Sequence, residues 1–419
     1  MDGVMQWPRR HVLGGMLAAG AVAASGGRLA AQGKKPSGTV TIWVGSWWAP
    51  QVPLTQKLWQ ADYPDVQLAF EPLPINGYLD KFSTAALGGT PPDIIDVDTT
   101  WVSTVAAKGL LQPLDDVAAK LDVSDISKAV WNAGRFKGVQ YAIPARGGPE
   151  VYYYNKTVFD KAGVPYPQAG WTHDDLVAIA RKLTIKGEQY GMGVPADLSD
   201  PSNVLSFFCP ILWYFGGDFL TPDEKAPAIN TPEAVKAITY WSDFYVKYGA
   251  APEGTPNFST TRDLMPLFEA NKVGLISSSS NTFDALLQKP NVKWGAVLAP
   301  DKINRAGGWT MGVPVGAKNP DGAKLFLAWL ARPEIQAQVM NRFPASLKAR
   351  KLPPWNEPKW QIFVEAEPDA RSVPSVAGWF EMQTAILTNL QKVLVKQMTP
   401  QQAADASAAE MKRIIADNA

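Results

Sequence analysis

Residues 88–101 read GGTPPDIIDVDTTW, and this stretch indicates the class of fold. Two prolines precede a short apolar run at residues 93–97, which is typical of a buried strand. The paired glycines 88 and 89 follow a helical pattern at residues 78–87 and are expected to end that helix. The stretch therefore predicts a helix that leads into a buried strand.

The same alternation of helix and strand patterns continues on both sides. Upstream, residues 39–44 and 66–71 have strand character, and residues 53–63 between them carry apolar side chains on one helical face. The downstream elements are predicted at residues 151–154, 172–182, 231 onward, 273–276, 293–298, 321–330, 333–341 and 399–415. Alternating strands and helices predict an α/β fold with a mainly parallel sheet.

Three predicted helices carry start signals. Thr172 is followed three positions later by Asp175, and Thr399 by Gln402, so each pair can form a capping box. Thr231 stands before a proline, which is favoured at the first position of a helix.

The composition limits the classes of partner. The chain has 419 residues, 46% of them hydrophobic, and a net charge of +1. This length suits roughly two or three domains. A near-neutral chain has no general attraction for polyanions, so nucleic acid and acidic membrane surfaces are not expected partners. A single cysteine, Cys209, excludes an internal disulfide and is expected to be a small buried hydrophobe, with a reactive thiol as the alternative.

Residues 1–31 are interpreted as a signal peptide of the twin-arginine type, with a general secretory signal as the alternative. Arg9 and Arg10 precede an apolar run of about 11 residues, which is too short to span a bilayer. No cysteine lies near the expected cleavage point after Ala31, so no lipid anchor is expected. The mature protein is therefore predicted to be periplasmic.

A series of motifs resembles a known family. In chain order these motifs are DIIDV (93–97), Trp101, AKGLLQPL (107–114), FKGVQYAIP (136–144), YYNK (153–156), Trp171 with Thr172, GGW (307–309) and AKNP (317–320). Together they resemble the extracellular solute-binding proteins of the maltose-binding type. The resemblance extends from about residue 39 to about residue 415, which is nearly all of the mature chain.

The resemblance implies a two-lobed periplasmic binding protein of type II with a ligand cleft between its α/β lobes. The implied lobes are residues 39–145 with 301–348, and residues 150–298 with 350–419. The implied function is capture of a sugar-like solute, closure about hinges, and delivery to the membrane permease of an ATP-binding-cassette importer. Such a protein is expected to be a monomer without a cofactor.

Aromatic and polar residues in loops after strands are candidate ligand-binding residues, because sugars stack on aromatic rings and need hydrogen-bonding groups. They are Trp47, Trp48, Asp98, Trp101, Glu150, Trp213, Tyr214, Ser278, Asn281, Gly308, Trp309 and Trp379. The roles of Glu150, Trp309 and Trp379, and the cleft position of the loop after the third strand, follow from the family resemblance. A helix cap is the alternative for Asp98, and a structural ion pair with Arg146 is the alternative for Glu150.

An enzyme is the main alternative function. No Ser-His-Asp set, zinc-binding motif or phosphate-binding loop is present, so no catalytic or metal-binding residues are predicted. His173, the single histidine of the predicted mature chain, is expected to be solvated at a helix start. A glycoside hydrolase needs only two carboxylates and stays open as an alternative.

A structural or adhesion protein is a further alternative, but repeats and long β runs are not seen in the sequence. Within the binding-protein fold, a non-sugar solute such as a polyol or a glycerophosphate stays open. Arg146, Arg305 and Arg342 would meet an anion if they converged on the cleft.

Overall fold

The computed structural model describes residues 36–75, 77–199 and 201–418, so the predicted signal peptide lies outside the described residues. The strands are, in chain order, β1 (Gly38–Gly45), β2 (Val66–Leu73), β3 (Ile94–Asp98), β4 (Arg135–Phe136), β5 (Val139–Gln140), β6 (Ala142–Pro149), β7 (Val151–Asn155), β8 (Tyr190–Gly193), β9 (Val273–Ser278), β10 (Trp294–Val297), β11 (Asn304–Gly312) and β12 (Ala370–Arg371).

The α-helices are, in chain order, α1 (Val52–Asp62), α2 (Tyr78–Leu87), α3 (Val102–Ala107), α4 (Asp115–Ala118), α5 (Lys128–Ala133), α6 (Lys156–Ala162), α7 (His173–Leu183), α8 (Pro201–Tyr214), α9 (Pro232–Val246), α10 (Met265–Glu269), α11 (Ser280–Leu287), α12 (Pro320–Leu330), α13 (Pro333–Val339), α14 (Gln361–Ala366), α15 (Trp379–Leu394) and α16 (Pro400–Asp417). Within the described ranges, none of these helices combines the length and the apolar character that a membrane span requires.

The predicted helix starts are confirmed. Thr172 and Thr399 each accept a hydrogen bond from the backbone of the third helical residue, and the side chains of Asp175 and Gln402 accept one in return. Thr231 caps α9 by accepting from the backbone N–H of Ala234. These local signals place the helices correctly because each depends only on residues within one turn.

The larger sheet has six strands in the described chain, ordered β12-β11-β3-β1-β2, with β6 also beside β11. Strands β1, β2 and β3 are parallel, as the alternation predicts. Strand β11 is antiparallel to both β3 and β6 and lies between them. Its direction is opposite because it enters this sheet from the smaller one and not through a helix on the same sheet.

The smaller sheet, ordered β10-β7-β9-β8, differs from the prediction. Strand β7 is antiparallel to both β9 and β10, and only β8 and β9 are parallel. The prediction of a mainly parallel sheet is therefore wrong here. A single residue separates β6 from β7, so the direction of β7 follows from the preceding strand and not from a strand–helix–strand unit.

Apolar side chains fill the space on the faces of both sheets. Beside the larger sheet, Trp59 packs edge-to-face on Phe326 and Trp329, with ring centroids 5.5 and 5.3 Å apart. Helices α8, α9, α15 and α16 form the core beside the smaller sheet, and Cys209 is buried among them, as predicted. Each large apolar side chain buried in this way contributes about 1.5–3 kcal/mol.

Glycines allow β6 and β11 to lie close together where the chain passes between the sheets. A Cβ atom at Gly308 would lie 2.5 Å from the carbonyl oxygen of Arg146, and one at Gly147 would lie 2.7 Å from that of Gly307. Both distances are shorter than van der Waals contact, so any other residue would push the strands apart.

A buried ion pair joins β3 to β6 across β11. Arg146 Nη2 lies 3.1 Å from Asp96 Oδ2, and their side chains are 3% and 0% exposed. Burial raises the pKa of Asp96, and the positive charge of Arg146 opposes that rise. Neither charge has access to bulk water, so each depends on the other for compensation.

We expect Arg146→Met to destabilise the fold by about 3–5 kcal/mol, because it leaves a buried carboxylate without its partner. Urea unfolding followed by intrinsic fluorescence measures the change. The matched control is Arg413→Met, which breaks an exposed pair with Glu410 and should have a much smaller effect, because solvent screens an exposed pair. An equal decrease in the free energy of unfolding for the two substitutions would show that the buried pair stabilises the fold no more than an exposed one.

Candidate functional site

Three tryptophans meet at one edge of the larger sheet. Trp47 lies in the 3₁₀ turn Ser46–Gln51 after β1, Trp101 precedes α3 after β3, and Trp309 lies in β11. The ring centroid of Trp309 is 4.5 Å from that of Trp47 and 5.4 Å from that of Trp101. All three are partly exposed, and we call them the indole shelf. The segments after the parallel strands β1 and β3 share one edge of the sheet, and the antiparallel pairing of Trp309 with Asp98 at the end of β3 brings the third ring to the same edge.

Tyr78 supports the shelf from within and was not among the predicted residues. Its ring centroid is 6.3 Å from those of Trp101 and Trp309, and its side chain is 2% exposed. The hydroxyl donates a 3.0 Å hydrogen bond to the backbone oxygen of Trp43. Burial raises the pKa of Tyr78, so this hydroxyl stays a donor. The sequence offers one indication of this supporting role, which is that Tyr78 follows Gly77 at the start of α2.

Arg146 lies against the shelf. Its guanidinium carbon is 5.3 Å from the ring centroid of Trp47, 5.4 Å from that of Trp309 and 5.7 Å from that of Trp48. A cation in contact with several indole faces is held by the ring quadrupoles as well as by its carboxylate partner.

Trp48 does not present a free ring, unlike Trp47 beside it. Its side chain is 1% exposed and stacks near Phe70, with centroids 6.3 Å apart. The prediction that Trp48 contacts a ligand is therefore corrected: the ring belongs to the core because adjacent residues in this turn point to opposite sides.

Gly308 lies partly exposed at the base of the shelf. Its carbonyl oxygen accepts a 3.1 Å hydrogen bond from the backbone N–H of Thr99, which ties β11 to the loop after β3. The residue is therefore close to the site, and its lack of a side chain is required by the approach of β6.

Asp98 is occupied by its own loop. Its Oδ1 accepts hydrogen bonds from the backbone N–H and the hydroxyl of Thr100, at 2.8 and 2.7 Å. The side chain is 6% exposed, and burial raises its pKa. The carboxylate thus caps the turn before α3.

Glu150 forms the structural ion pair that the sequence left open, but with a different arginine. Arg305 Nη1 lies 2.9 Å from Glu150 Oε1, which also accepts a 2.5 Å hydrogen bond from the Ser206 hydroxyl. Glu150 and Arg305 are 4% and 1% exposed. The pair joins the end of β6 to β11 and α8, and Arg146 pairs with Asp96 instead.

Two predicted polar residues follow β9 in the smaller sheet. Ser278 is buried and accepts a 2.9 Å hydrogen bond from the Thr282 hydroxyl. Asn281 lies exposed in the first turn of α11, which Ser279 caps. Of these two residues, Asn281 is therefore the one whose side chain is free to contact a solute.

Three predicted aromatic residues are separate from the shelf. Trp379 is fully buried and packs against Phe219, with centroids 5.2 Å apart. Trp213 is 6% exposed and lies under Arg371, whose guanidinium carbon is 4.5 Å from the ring centroid. Ring stacking on a solute needs an open face, so the expectation for Trp379 is corrected to a packing role, whereas solute contact by Trp213 stays a prediction.

Tyr214, the third of these residues, stacks on His173 with centroids 4.0 Å apart. His173 begins α7 as predicted, yet its side chain is fully buried and Nδ1 lies 2.8 Å from Asp301 Oδ2. The expectation of a solvated histidine is therefore wrong, because α8 and α9 cover this helix start. Burial lowers the pKa of His173, and Asp301 opposes that effect.

Two pockets, of about 760 and 730 Å³, lie away from the shelf. Both are lined by Asn132, Arg371 and Ser372, and the second also by Trp213. Neither includes a shelf residue. Among the described residues, no group of three His, Cys, Asp or Glu side chains has the arrangement of a metal site.

Arg342, unlike Arg146 and Arg305, has no carboxylate in contact among the described residues. Its guanidinium carbon lies 5.2 Å from the ring centroid of Trp47. Asp284 lies in α11 and is near enough to affect the pKa of Arg342. The sequence singled out Arg342 as a possible anion ligand and carried no signal for Asp284.

Comparisons with known proteins agree with this architecture. Residues 37–337 match the family model described as bacterial extracellular solute-binding protein. A putative binding protein of Brucella abortus is 25% identical over 372 residues, which cover 86% of this chain and 88% of that protein. A mannitol-binding protein of Pseudomonas aeruginosa is 24% identical over 65% of this chain and 64% of its own length.

Among solved structures, a solute-binding protein of an ABC transporter from Thermotoga lettingae, bound with α-D-tagatose, superposes with a TM-score of 0.81. It is 25% identical, and the alignment covers 90% of this chain and all of that one. The fold is thus the two-lobed fold of periplasmic binding proteins. The family match extends over most of the chain, and the protein belongs to the bacterial extracellular solute-binding proteins.

Proposed function

We propose that the protein binds a sugar or a polyol on the indole shelf and delivers it to the permease of an ATP-binding-cassette importer. The observation that carries the proposal is the convergence of three partly exposed indoles at one sheet edge. Indole faces suit the C–H faces of sugars and polyols. The tagatose bound by the Thermotoga protein and the mannitol of the Pseudomonas protein's name support this class of solute.

The proposed lobes are residues 39–145 with 301–348, and residues 150–298 with 350–419. The shelf then belongs to the first lobe, and Ser278 and Asn281 to the second. Hinge closure would bring Asn281 toward a solute on the shelf. The single residue between β6 and β7 supports a crossing at Glu150, although β12 adds a short piece of the second lobe's chain to the larger sheet.

The proposal includes export and delivery. Residues 1–31 would act as a twin-arginine signal and be removed, leaving a monomeric periplasmic protein without a cofactor. Its partners would be the solute and a membrane permease. A glycerophosphate stays as an alternative solute.

The protein is proposed to bind without catalysis. A glycoside hydrolase needs two carboxylates free to act on either side of the bond. Here Asp96 is paired with Arg146, Asp98 caps a turn and Glu150 is paired with Arg305. Incubation with maltose, maltotriose and a cello-oligosaccharide should release no additional reducing sugar. Release that is abolished by Asp98→Asn or Glu150→Gln would contradict the proposal.

We expect Trp309→Ala to weaken solute binding by about 1–3 kcal/mol, because it removes the central ring of the shelf. Trp47→Ala should act in the same direction. Thermal-shift screening of tagatose, mannitol, ribitol and maltose identifies a solute, since a ligand that binds only the folded form raises the melting temperature. Isothermal titration calorimetry with that solute then measures the change.

The matched control is Trp294→Ala, which removes a partly buried indole from β10 that contacts Tyr153 and Phe283 and no shelf residue. It should leave the affinity unchanged. Wild-type affinity in both shelf variants would exclude the shelf as the binding surface.

A further inference from the structure

Arg342 is a cation held at the shelf. Its guanidinium carbon lies 5.2 Å from the centroid of the Trp47 ring. The neighbouring Asn341 donates a 2.7 Å hydrogen bond to the backbone oxygen of Trp47, which attaches this loop to the shelf. Among the described residues, the guanidinium forms no hydrogen bond or ion pair. A positioned arginine of this kind is a ready donor for an external anion.

The surrounding charges differ between the two arginines that contact Trp47. Arg146 is paired with Asp96 at 3.1 Å, so its charge is compensated within the fold. Arg342 is partly buried, and that burial together with the nearby Arg146 lowers its pKa to about 9. It therefore stays protonated at neutral pH while its environment disfavours the charge. A bound anion would relieve this unfavourable arrangement.

Asp284 is near enough to Arg342 to affect its pKa but forms no ion pair with it. Its Oδ2 is buried and has no hydrogen-bond partner among the described residues. Burial raises the pKa of Asp284 to about 7, and Arg342 and Lys359 oppose that rise. Near neutral pH the carboxyl is therefore partly protonated and compensates Arg342 incompletely.

We propose that the solute is a sugar acid, with its ring on the indole shelf and its carboxylate bound by Arg342. This inference rests on the proposed function and narrows its class of solute. The planar guanidinium matches a carboxylate in a two-point hydrogen-bonded contact. A single uncompensated cation beside a titratable carboxyl suits a monoanion better than the dianion of a phosphate monoester.

The test compares pairs of probes that differ only in the acid group. D-glucuronate, D-galacturonate and D-mannuronate are each titrated against the hexose of the same configuration by isothermal titration calorimetry. At least one uronate should bind about tenfold more tightly than its hexose, as for other charge-assisted contacts. Glucose 6-phosphate and galactose 6-phosphate test the dianionic alternative.

Arg342→Gln should abolish the preference for the uronate and leave the hexose affinity within about threefold, since only the charged contact is lost. The matched control is Arg332→Gln, which removes an arginine paired with Asp62 and Glu334 on the surface and should keep the preference. Equal loss for uronate and hexose in the Arg342 variant would overturn the assigned role.

The outcomes separate this inference from the proposed function. Binding of neutral sugars or polyols with no preference for any uronate would overturn the sugar-acid inference and leave the proposed function standing. Preference for a sugar phosphate over the uronates would also overturn it. Failure of every sugar, polyol, uronate and sugar phosphate to bind would contradict the proposed function itself.

The pH dependence gives a second readout that a purely structural role would not produce. The charged or titratable groups that face Asp284 are Arg342, Lys359 and Tyr153. As the pH rises from 6 to 8, Asp284 loses its proton and its negative charge repels the bound carboxylate. Uronate affinity should fall about threefold or more over this range, as expected for two like charges at close range.

Asp284→Asn should remove this pH dependence and tighten uronate binding at pH 8. The neutral hexose should show the same affinity at both pH values in either protein. Uronate affinity that does not change with pH in the wild type would contradict the proposed position of the carboxylate beside Asp284.

Discussion

The buried pair of Arg146 and Asp96 determines where the indole shelf lies. The two residues come from strands on either side of β11, and Trp309 lies in β11 between them. Because the carboxylate holds the guanidinium in place, the indoles of Trp47 and Trp309 pack around a fixed cation. The glycines of β6 and β11 bring the strands close enough for this contact. The position of Trp309 at the centre of the shelf is therefore determined by the sheet, and Trp47 and Trp101 pack against it from the segments after β1 and β3.

Most acidic groups near the shelf are already used by the fold. Asp96 compensates Arg146, Asp98 caps its own turn, and Glu150 joins the strands to α8 through Arg305. What remains open toward a solute is a set of aromatic faces and one cation. Such a surface suits ring stacking and charge-assisted contacts.

The candidate site could be predicted only in part from the sequence. Trp47, Trp101 and Trp309, three of the predicted ligand-binding residues, meet at one sheet edge, and their contact with a solute stays a prediction. Trp48 is adjacent to Trp47 and has the same chemistry, but its side chain enters the core. Which of the two rings enters the core depends on the direction of a 3₁₀ turn.

Helix α8 was not predicted from the sequence. Its residues from Val204 to Trp213 are buried on all sides, so its sequence shows no alternation of apolar and polar faces.

The sequence alone determined the alternation of strands and helices, the helix starts and the family, because these features depend on local spacing and on motifs a few residues long. Tertiary structure alone decided the strand directions of the smaller sheet and the partner of each buried charge. Arg146 and Asp96 are 50 residues apart, and Glu150 and Arg305 are 155 residues apart. Pairs at such separations are selected by packing and by the cost of burying an unpaired charge, which no local pattern records.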